Sequence, residues 1–299
     1  MNTKQIDIIK RIGLNEAEIN QVIALSGKYS DNRDFKQLKR DLISGKLDYT
    51  DAIKNIPDIA AKNGEMVEKL NMLFLFELID IIYDKYKKLC VDDDIIYNTL
   101  FDVRIKLNEC VRVKNILGIS RMEWYRLFYQ AIIFKLGRFQ YAFSNFNHDY
   151  YEKDGVVLKR GMPAIYIHIP QSGEKMDDGI REDSYRKAYV FFKKFYPEML
   201  QDDYLPVVCK TWLFFEKHKE FLDKDSSIVR FTGDFDIISK EEWEKFYASI
   251  FLFDRDDDDG NYEEYPQKTT LQKAYVNWLS AGNKSGVACG VKLLKYKTS

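Results

Sequence analysis

The hydrophobic pattern of the chain changes its period near Gly137. Before this residue, apolar side chains recur at three- and four-residue intervals, the spacing of amphipathic helices, and almost no segment alternates as a strand does. After it, short alternating segments are separated by segments with helical spacing. Strands that alternate with helices are typical of α/β domains. The sequence therefore predicts an all-helical domain over residues 1–135 and a mixed-sheet α/β domain over residues 136–299, a length that suits two domains.

Two features of the helical half give specific predictions. The run from Glu65 to Leu89 is apolar on all sides over its middle, which predicts one long central helix. Ser120 and Glu123 have the spacing of a capping box, which predicts a helix from there to about Lys135. This half can also be a packing domain without chemistry of its own.

In the second half, alternation predicts strands and helical spacing predicts helices. Val156 to Leu158 is expected to pair with Leu136 to Tyr141 across a turn at Asp154 and Gly155. Further predicted strands are Ala164 to Ile169, Val207 to Phe215, Ser227 to Ile238 and Val287 to Leu294, and predicted helices are Lys240 to Phe251 and Thr269 to Leu279.

The stretch from Ala164 to Pro197 combines a strand, a loop and a helix. The strand is followed by a polar loop from Gln171 to Gly179 and then by apolar residues at helical spacing, which Pro197 ends. Because α/β proteins hold ligands at the carboxyl ends of their strands, we expect the functional site at this loop.

Composition excludes several function classes. The chain has 46 basic and 47 acidic side chains and a net charge of −1, without the basic excess of a dedicated nucleic-acid binder. Its most apolar run, Leu70 to Ile82, contains Asn71, Glu77 and Asp80, and is too short and too charged to span a bilayer. The amino terminus has no apolar secretory signal and the four cysteines form no Cys-x-x-Cys pair. We therefore expect a cytoplasmic protein with reduced thiols, a small-molecule substrate and no nucleic-acid or membrane partner.

Several short segments together resemble a known family. They are Asp94 to Asp102 in the first half, and in the second half Leu136 to Tyr141, Ile167 to Pro170, Ser184 to Pro197, Cys209 to Leu213, Ser227 to Phe231, Thr269 to Gln272 and Gly282 to Gly290. In combination they resemble the bacterial acyltransferase-domain family, which has a helical N-terminal domain and a GNAT-like C-terminal domain. The resemblance covers nearly the whole chain. The resemblance implies an acyl-CoA-dependent N-acyltransferase-like fold. From that fold we expect N-acyl transfer from acetyl-CoA or another acyl-CoA to a small amine by direct attack. The alternative is a non-catalytic member of the fold that binds a small molecule or a partner protein.

The loop after the central strand departs from the GNAT pattern. GNAT enzymes cradle the cofactor pyrophosphate with Gln/Arg-x-x-Gly-x-Gly/Ala, and Gln171 to Gly179 lacks this spacing. Its acidic residues Glu174, Asp177 and Asp178 would repel a pyrophosphate if they pointed inward. The residues of this loop predicted to bind the pyrophosphate are Ser172, Gly173 and Lys175. Either the acids face solvent, or the phosphate sits elsewhere, or the chain binds no CoA.

A second helix start offers an alternative anion contact. Lys268, Thr269 and Thr270 combine a positive charge, two hydroxyls and the N–H groups of a helix N-terminus, with no acid in the first turn. We predict a second contact there, for example with the 3′-phosphate. The alternative is an ordinary helix that Thr269 and Gln272 cap.

Two residues are candidates for catalysis. His168, at the end of the central strand, has a side chain suited to accept a proton from an attacking amine; the alternative is a structural histidine. Cys209 could carry an acyl group as a thiolate; the alternative is a buried, inert cysteine. His148 and His218 have no metal-ligand spacing, so no metal site is expected.

Overall fold

The computed structural model of the chain describes residues 1–297 and divides into two compact units. The first extends from Met1 to Phe134 and the second begins at Lys135. The predicted fold class is confirmed, because the first unit is helical and the second is built on a mixed sheet with helices. Among residues 1–297, no helix is long and apolar enough to cross a membrane.

The first unit consists of short helices joined by short turns. They are α1 (Thr3–Arg11), α2 (Glu16–Tyr29), α3 (Arg33–Ile43), α4 (Tyr49–Lys54), α5 (Ile56–Lys62), α6 (Val67–Glu77), α7 (Ile79–Lys88), α8 (Asp93–Leu100), α9 (Asp102–Lys114) and α10 (Arg126–Tyr129). Helix α6 is buried on nearly every side, as its all-round apolar sequence predicts.

Both specific predictions for this unit need correction. The expected long helix is two helices, α6 and α7, because the N–H of Leu78 bonds to the carbonyl of Leu75, a tighter three-residue step. The helix expected from Ser120 to Lys135 is wrong. Ser120 Oγ donates to Cys110 Sγ instead of capping, and α10 ends at Tyr129 before Ala131, whose φ of +54° interrupts a right-handed helix.

The second unit contains most of the strands. They are β1 (Ile133–Leu136), which begins before the division, β2 (Phe139–Asn145), β3 (Tyr150–Lys153), β4 (Val156–Lys159), β5 (Pro163–His168), β6 (Leu205–Thr211), β7 (Asp236–Glu242) and β8 (Gly286–Leu294). The helices are α11 (Asp178–Phe195), α12 (Ser227–Gly233), α13 (Ser249–Phe253) and α14 (Thr270–Ser280).

The main sheet has the strand order β1-β2-β5-β6-β8-β7. Strands β5 and β6 are parallel, whereas β2 with β5, β6 with β8 and β7 with β8 are antiparallel. Helix α11 provides the crossover between the two parallel strands. The hairpin of β3 and β4 is a separate two-stranded sheet.

The two faces of the main sheet have different coverings. Phe192 of α11 packs edge-on against Tyr141 and Phe143 of β2. A buried cluster on the opposite face joins the β3–β4 hairpin to the sheet. Its members are Phe146, Tyr151, Leu158, Ala164, Val208, Cys289 and Val291.

Several strand predictions were wrong in this unit. Residues 227–233 form α12 rather than a strand, since Ser226 Oγ accepts from Val229 N and caps a helix, and β7 begins only at Asp236. Strand β7 then continues through part of the helix expected from Lys240. Strand β6 ends at Thr211, before a 3-10 turn. Strand β4 pairs with β3 instead of Leu136 to Tyr141.

A buried hydroxyl joins the β1–β2 turn to α11. Ser184 Oγ donates to Leu136 O at 2.5 Å, lies 3.1 Å from Tyr141 Oη, and accepts from Phe139 N at 3.1 Å. Gly137, at φ +70°, sits in the turn against Ser184. A Cβ at Gly137 would lie 2.9 Å from Ser184 Cα, so only glycine allows this approach.

This approach predicts the effect of adding one methyl group. We expect Gly137→Ala to lower the free energy of unfolding by about 2 to 4 kcal/mol, because it adds a clash with the α11 backbone to the cost of a positive φ. Gly161→Ala is the matched control: φ is +86° there, but no atom lies within 4 Å of the added Cβ. We expect the control to cost about 1 kcal/mol in urea unfolding. Equal losses in the two variants would contradict the packing argument.

Candidate functional site

The two parallel strands separate at their carboxyl ends. Among the described residues, β5 and β6 pair only at Ile165 with Val207 and at Tyr166 with Val208. Both strands continue beyond these pairs, β5 along β2 to His168 and β6 along β8 to Thr211. We call the space between the two strand ends the strand opening. Such an opening at the carboxyl ends of parallel strands, beside a strand-to-helix loop, is where α/β folds bind ligands.

The predicted pyrophosphate loop begins next to this opening. It leaves β5 after His168 and reaches α11 at Asp177, whose side chain accepts from Ile180 N at 3.0 Å and caps the helix. Gly173 has a φ of +75° and, like Lys175, is exposed, and Ser172 is half-buried. The three predicted loop residues are therefore accessible or nearly so.

Glu174 is held by partners within the same unit. Its Oε2 accepts from Lys135 Nζ at 2.9 Å and from Ser172 Oγ at 2.6 Å. Burial alone would raise the pKa of Glu174, but these two hydrogen bonds and the positive charge of Lys135 lower it below its usual value. The carboxylate is therefore ionised and its charge is compensated.

Asp178 is compensated as well. Its Oδ1 lies 3.0 Å from Arg181 Nη2 and 3.2 Å from Arg230 Nε. Arg181 is buried and also donates through Nε to Asp234 Oδ2 at 2.8 Å, an atom that accepts from Tyr185 Oη at 2.9 Å. The charges that the sequence places at the start of α11 are thus neutralised by the protein's own cations.

These same residues line a shallow surface pocket. Its volume is about 590 Å³, and its lining includes Asp178, Arg181, Tyr185, Arg230 and Asp234. Sequence reasoning missed this network, because Asp234 had been placed on a strand and its partners lie some 50 positions away in the chain.

The two predicted catalytic residues lie on opposite faces of the sheet. Strand alternation places His168 on the face of Ala164, which belongs to the cluster beneath the β3–β4 hairpin. Cys209 follows Val207 on the other face, because Val207 lies opposite Ile165. The structure therefore does not bring the imidazole and the thiol together.

Burial has different consequences for these two groups. His168 is half-buried, and burial lowers its pKa to about 4, so the imidazole is neutral at pH 7. Cys209 is buried, and burial raises its pKa well above the usual value, so the sulfur is a neutral thiol at pH 7. The first group can accept a proton and the second is not a nucleophile in this state.

The two predicted phosphate regions meet at helix α13. Gln171 Nε2 donates to Phe251 O at 2.8 Å, and Gln272 Nε2 donates to the next carbonyl, Leu252 O, also at 2.8 Å. The pyrophosphate loop and the N-terminus of α14 are therefore neighbours.

The predicted capping box at α14 is confirmed. Thr269 Oγ1 accepts from Gln272 N at 3.1 Å, and the side chain of Gln272 accepts from the N–H groups of Thr269 and Lys268. The cap uses several of the N–H groups that an anion would need. Lys268, Thr269 and Thr270 are exposed.

Sequence reasoning also missed two cations at the β1–β2 turn, Lys135 and Arg138. Arg138 is buried and donates through Nη1 to Pro170 O at 3.0 Å, at the start of the pyrophosphate loop. The sequence feature that could have identified them is their position on either side of Gly137, at the turn between two strands. Within residues 1–297, no group of three or more His, Cys, Asp or Glu side chains could hold a metal ion.

Comparison with known proteins identifies both halves. Residues 133–292 match the family model of the GNAT-like C-terminal domain, and residues 4–131 match that of the N-acyltransferase N-terminal domain. No curated protein sequence matches the chain significantly.

Similar solved structures support the same fold. An acyltransferase in complex with decanoyl-CoA is 18% identical, with a TM-score of 0.74, over 98% of this chain and 88% of that one. An acyltransferase in complex with decanoyl-CoA and teicoplanin is 16% identical, with a TM-score of 0.72, over 96% and 87%. A mutant acyltransferase in complex with octanoyl-CoA is 16% identical, with a TM-score of 0.75, over 98% and 88%.

The low pKa of His168 predicts how stability depends on pH. The unfolded chain protonates this side chain below about pH 6.5, whereas the folded protein does so only near pH 4. The contribution of neutral His168 to the free energy of unfolding is therefore fully present above pH 6.5 and is lost as the pH drops toward 4. Between pH 7.5 and 4, the free energy of unfolding of the wild-type protein should fall by roughly 2 to 3 kcal/mol more than that of His168→Gln, as measured by urea unfolding.

Burial also lowers the pKa of His218 to about 4. Because His218 is present in both proteins, its effect cancels in the comparison. Parallel pH curves would show that burial does not perturb His168.

Proposed function

This chain belongs to the acyltransferase family that joins an N-acyltransferase N-terminal domain to a GNAT-like C-terminal domain, and we propose that it transfers an acyl group from acyl-CoA to an amine. The observation that carries the proposal is the strand opening beside the strand-to-helix loop. Solved acyltransferases of the same fold hold octanoyl-CoA, decanoyl-CoA or CoA. We propose an acyl-CoA as co-substrate and a small amine as acceptor.

The pyrophosphate of the co-substrate is proposed to bind at the loop after β5. Ser172 and Gly173 would contribute backbone N–H groups, and Lys175 a positive charge. The fit is supported because Asp178, which could repel a phosphate, is already paired with Arg181 and Arg230. The N-terminus of α14, with Lys268, Thr269 and Thr270, is proposed as a second contact, since α13 holds it next to the loop.

His168 is proposed as the proton acceptor. When bound, acyl-CoA supplies a thioester carbonyl; the amine nitrogen forms the new C–N bond, the C–S bond breaks, and CoA leaves as its thiolate. The neutral imidazole of His168 would take the proton that the nitrogen loses and pass it to the leaving thiolate or to solvent. Backbone N–H groups at the strand opening would stabilise the negative charge on the carbonyl oxygen.

Direct attack is favoured over a covalent route through Cys209. A covalent route needs a thiolate, and the buried thiol of Cys209 is neutral at pH 7. It also lies on the face of the sheet opposite His168, away from a base that could activate it.

Binding of CoA and acyl-CoAs is the first requirement of this function. A ligand that binds only the folded protein raises its stability by about 2.7 kcal/mol at a hundred times its Kd, which corresponds to a rise in Tm of roughly 5 °C. We expect CoA and acyl-CoAs to produce such a shift in a thermal-denaturation titration. Acetyl-, octanoyl- and decanoyl-CoA should be compared, because the longer chains occupy the solved neighbours. No shift with any of them would favour a non-catalytic role.

Replacing His168 tests the proposed base. With an acyl acceptor found by screening amines for release of free CoA thiol, His168→Ala should lower kcat by roughly two to four powers of ten and leave the Kd for CoA nearly unchanged. Cys209→Ala should retain activity. If His168 is structural, its replacement will lower Tm but not the activity per folded molecule. A large loss in the Cys209 variant alone would instead support the covalent route.

A further inference from the structure

The β1–β2 turn lies at the same edge of the sheet as the pyrophosphate loop. In the antiparallel pair of β2 and β5, Gln140 is opposite His168, so residues just before Gln140 face residues just after His168. The hydrogen bond from Arg138 Nη1 to Pro170 O confirms this proximity. Cations of the turn are therefore within reach of a ligand bound at the loop.

Lys135 is a mostly buried cation. Its side chain is 11% exposed, and its Nζ donates to Gly137 O at 2.5 Å, to Arg138 O at 3.0 Å and to Glu174 Oε2 at 2.9 Å. Two of these acceptors are neutral backbone carbonyls that belong to the turn itself. The third acceptor is the only one of the three that carries charge, and it belongs to a loop side chain that is 51% exposed.

Arg138 is buried further and has an unused donor. The residue is 7% exposed, and among the described residues no hydrogen-bond partner reaches its buried Nε. A guanidinium keeps its proton at any physiological pH, so a buried donor without an acceptor is costly. An anion with several oxygens offers acceptors for such a donor and for the other N–H groups of the guanidinium.

Glu174 currently provides the negative charge for both cations. Its carboxylate contacts Lys135 directly, and its charge favours the ionised form of Arg138 against the effect of burial on the pKa of that guanidinium. It is also the group on this loop that would compete with a phosphate for the same two cations. A single carboxylate leaves Arg138 Nε unpaired, whereas a phosphate offers more oxygens.

We propose that Lys135 and Arg138 form a phosphate subsite and that Glu174 occupies it in the free protein. Binding of a phosphate group exchanges the carboxylate for phosphate oxygens and releases Glu174 toward solvent. The identity of the ligand as a phosphate of acyl-CoA rests on the proposed function, but the exchange itself can be measured with inorganic pyrophosphate.

The deciding variant is Glu174→Gln, which removes the competing charge from a half-exposed side chain and keeps an oxygen that can accept from Ser172. We expect it to tighten the binding of both pyrophosphate and CoA by roughly three- to tenfold in calorimetric titrations at low salt. Lys135→Met should weaken the binding of pyrophosphate and of CoA by about tenfold or more. In the double variant Lys135→Met/Glu174→Gln, the second substitution should restore little of the lost affinity.

A matched control removes an equal charge elsewhere in the unit. Asp203 is half-exposed and pairs with Lys193 at 2.7 Å, away from the proposed subsite. Asp203→Asn should leave both affinities unchanged. If it tightens binding as much as Glu174→Gln does, net charge explains the effect and the subsite is refuted.

The remaining outcomes separate this inference from the proposed function. Wild-type binding of CoA with no change in Glu174→Gln would overturn the subsite and leave acyl transfer standing. Binding of pyrophosphate in the expected order of variants, with no binding of CoA, would support the subsite and refute the CoA-dependent function. If Lys135→Met does not fold, the comparison of ligand affinity between Glu174→Gln and Asp203→Asn still tests the subsite.

Discussion

The buried hydroxyl of Ser184 is the contact on which the site depends. It joins two segments that are far apart in the sequence, the β1–β2 turn and helix α11, through the carbonyl of Leu136 and the N–H of Phe139. A buried hydroxyl can donate once and accept twice, and here it is fully used, which fixes its position. Strand β5 is fixed by its ladder with β2. The carboxyl-terminal end of this loop is therefore anchored to the β1–β2 turn and its amino-terminal end to strand β2. The loop between these two anchors is the proposed pyrophosphate site.

The charges of this loop show how an acidic sequence can border a proposed site for an anionic substrate. Asp177 caps α11, Asp178 pairs with two arginines, and Glu174 pairs with Lys135. Each carboxylate has a structural partner, so the net charge at the strand opening is much less negative than the loop sequence indicates. Local charge in a folded protein is set by such pairs, and pairs distant in the chain are not visible in a window of nine residues.

Much of the fold could be predicted from sequence because local signals agreed with the tertiary structure. The capping box of Thr269 and Gln272 and the strand that ends at His168 are both determined by neighbours in the chain. The prediction of a strand from Ser227 was wrong. Phe231 fits the two-residue period of a strand, but in the structure it packs from α12 against Phe214. The cap at Ser226 and this packing together favour the helix.

The candidate site was predictable only in part. The sequence located the loop after β5, but it could not show that the turn at Lys135 and Arg138 would reach that loop, since the contact depends on the register of β2 with β5. It also could not place His168 and Cys209 on opposite faces, because that result requires the pairing of β5 with β6. Register between distant strands is a property of the assembled sheet.

Helix α13 has five residues, and its last carbonyls cannot be satisfied within so short a helix. Two glutamine side chains, one from the loop after β5 and one from the first turn of α14, supply donors to successive carbonyls. A displacement of α13 changes both hydrogen bonds together, so the order of the loop and the position of α14 are thermodynamically linked. Linkage of this kind is reciprocal: whatever free energy the ordered loop contributes to the placement of α14, the placed α14 contributes equally to the order of the loop.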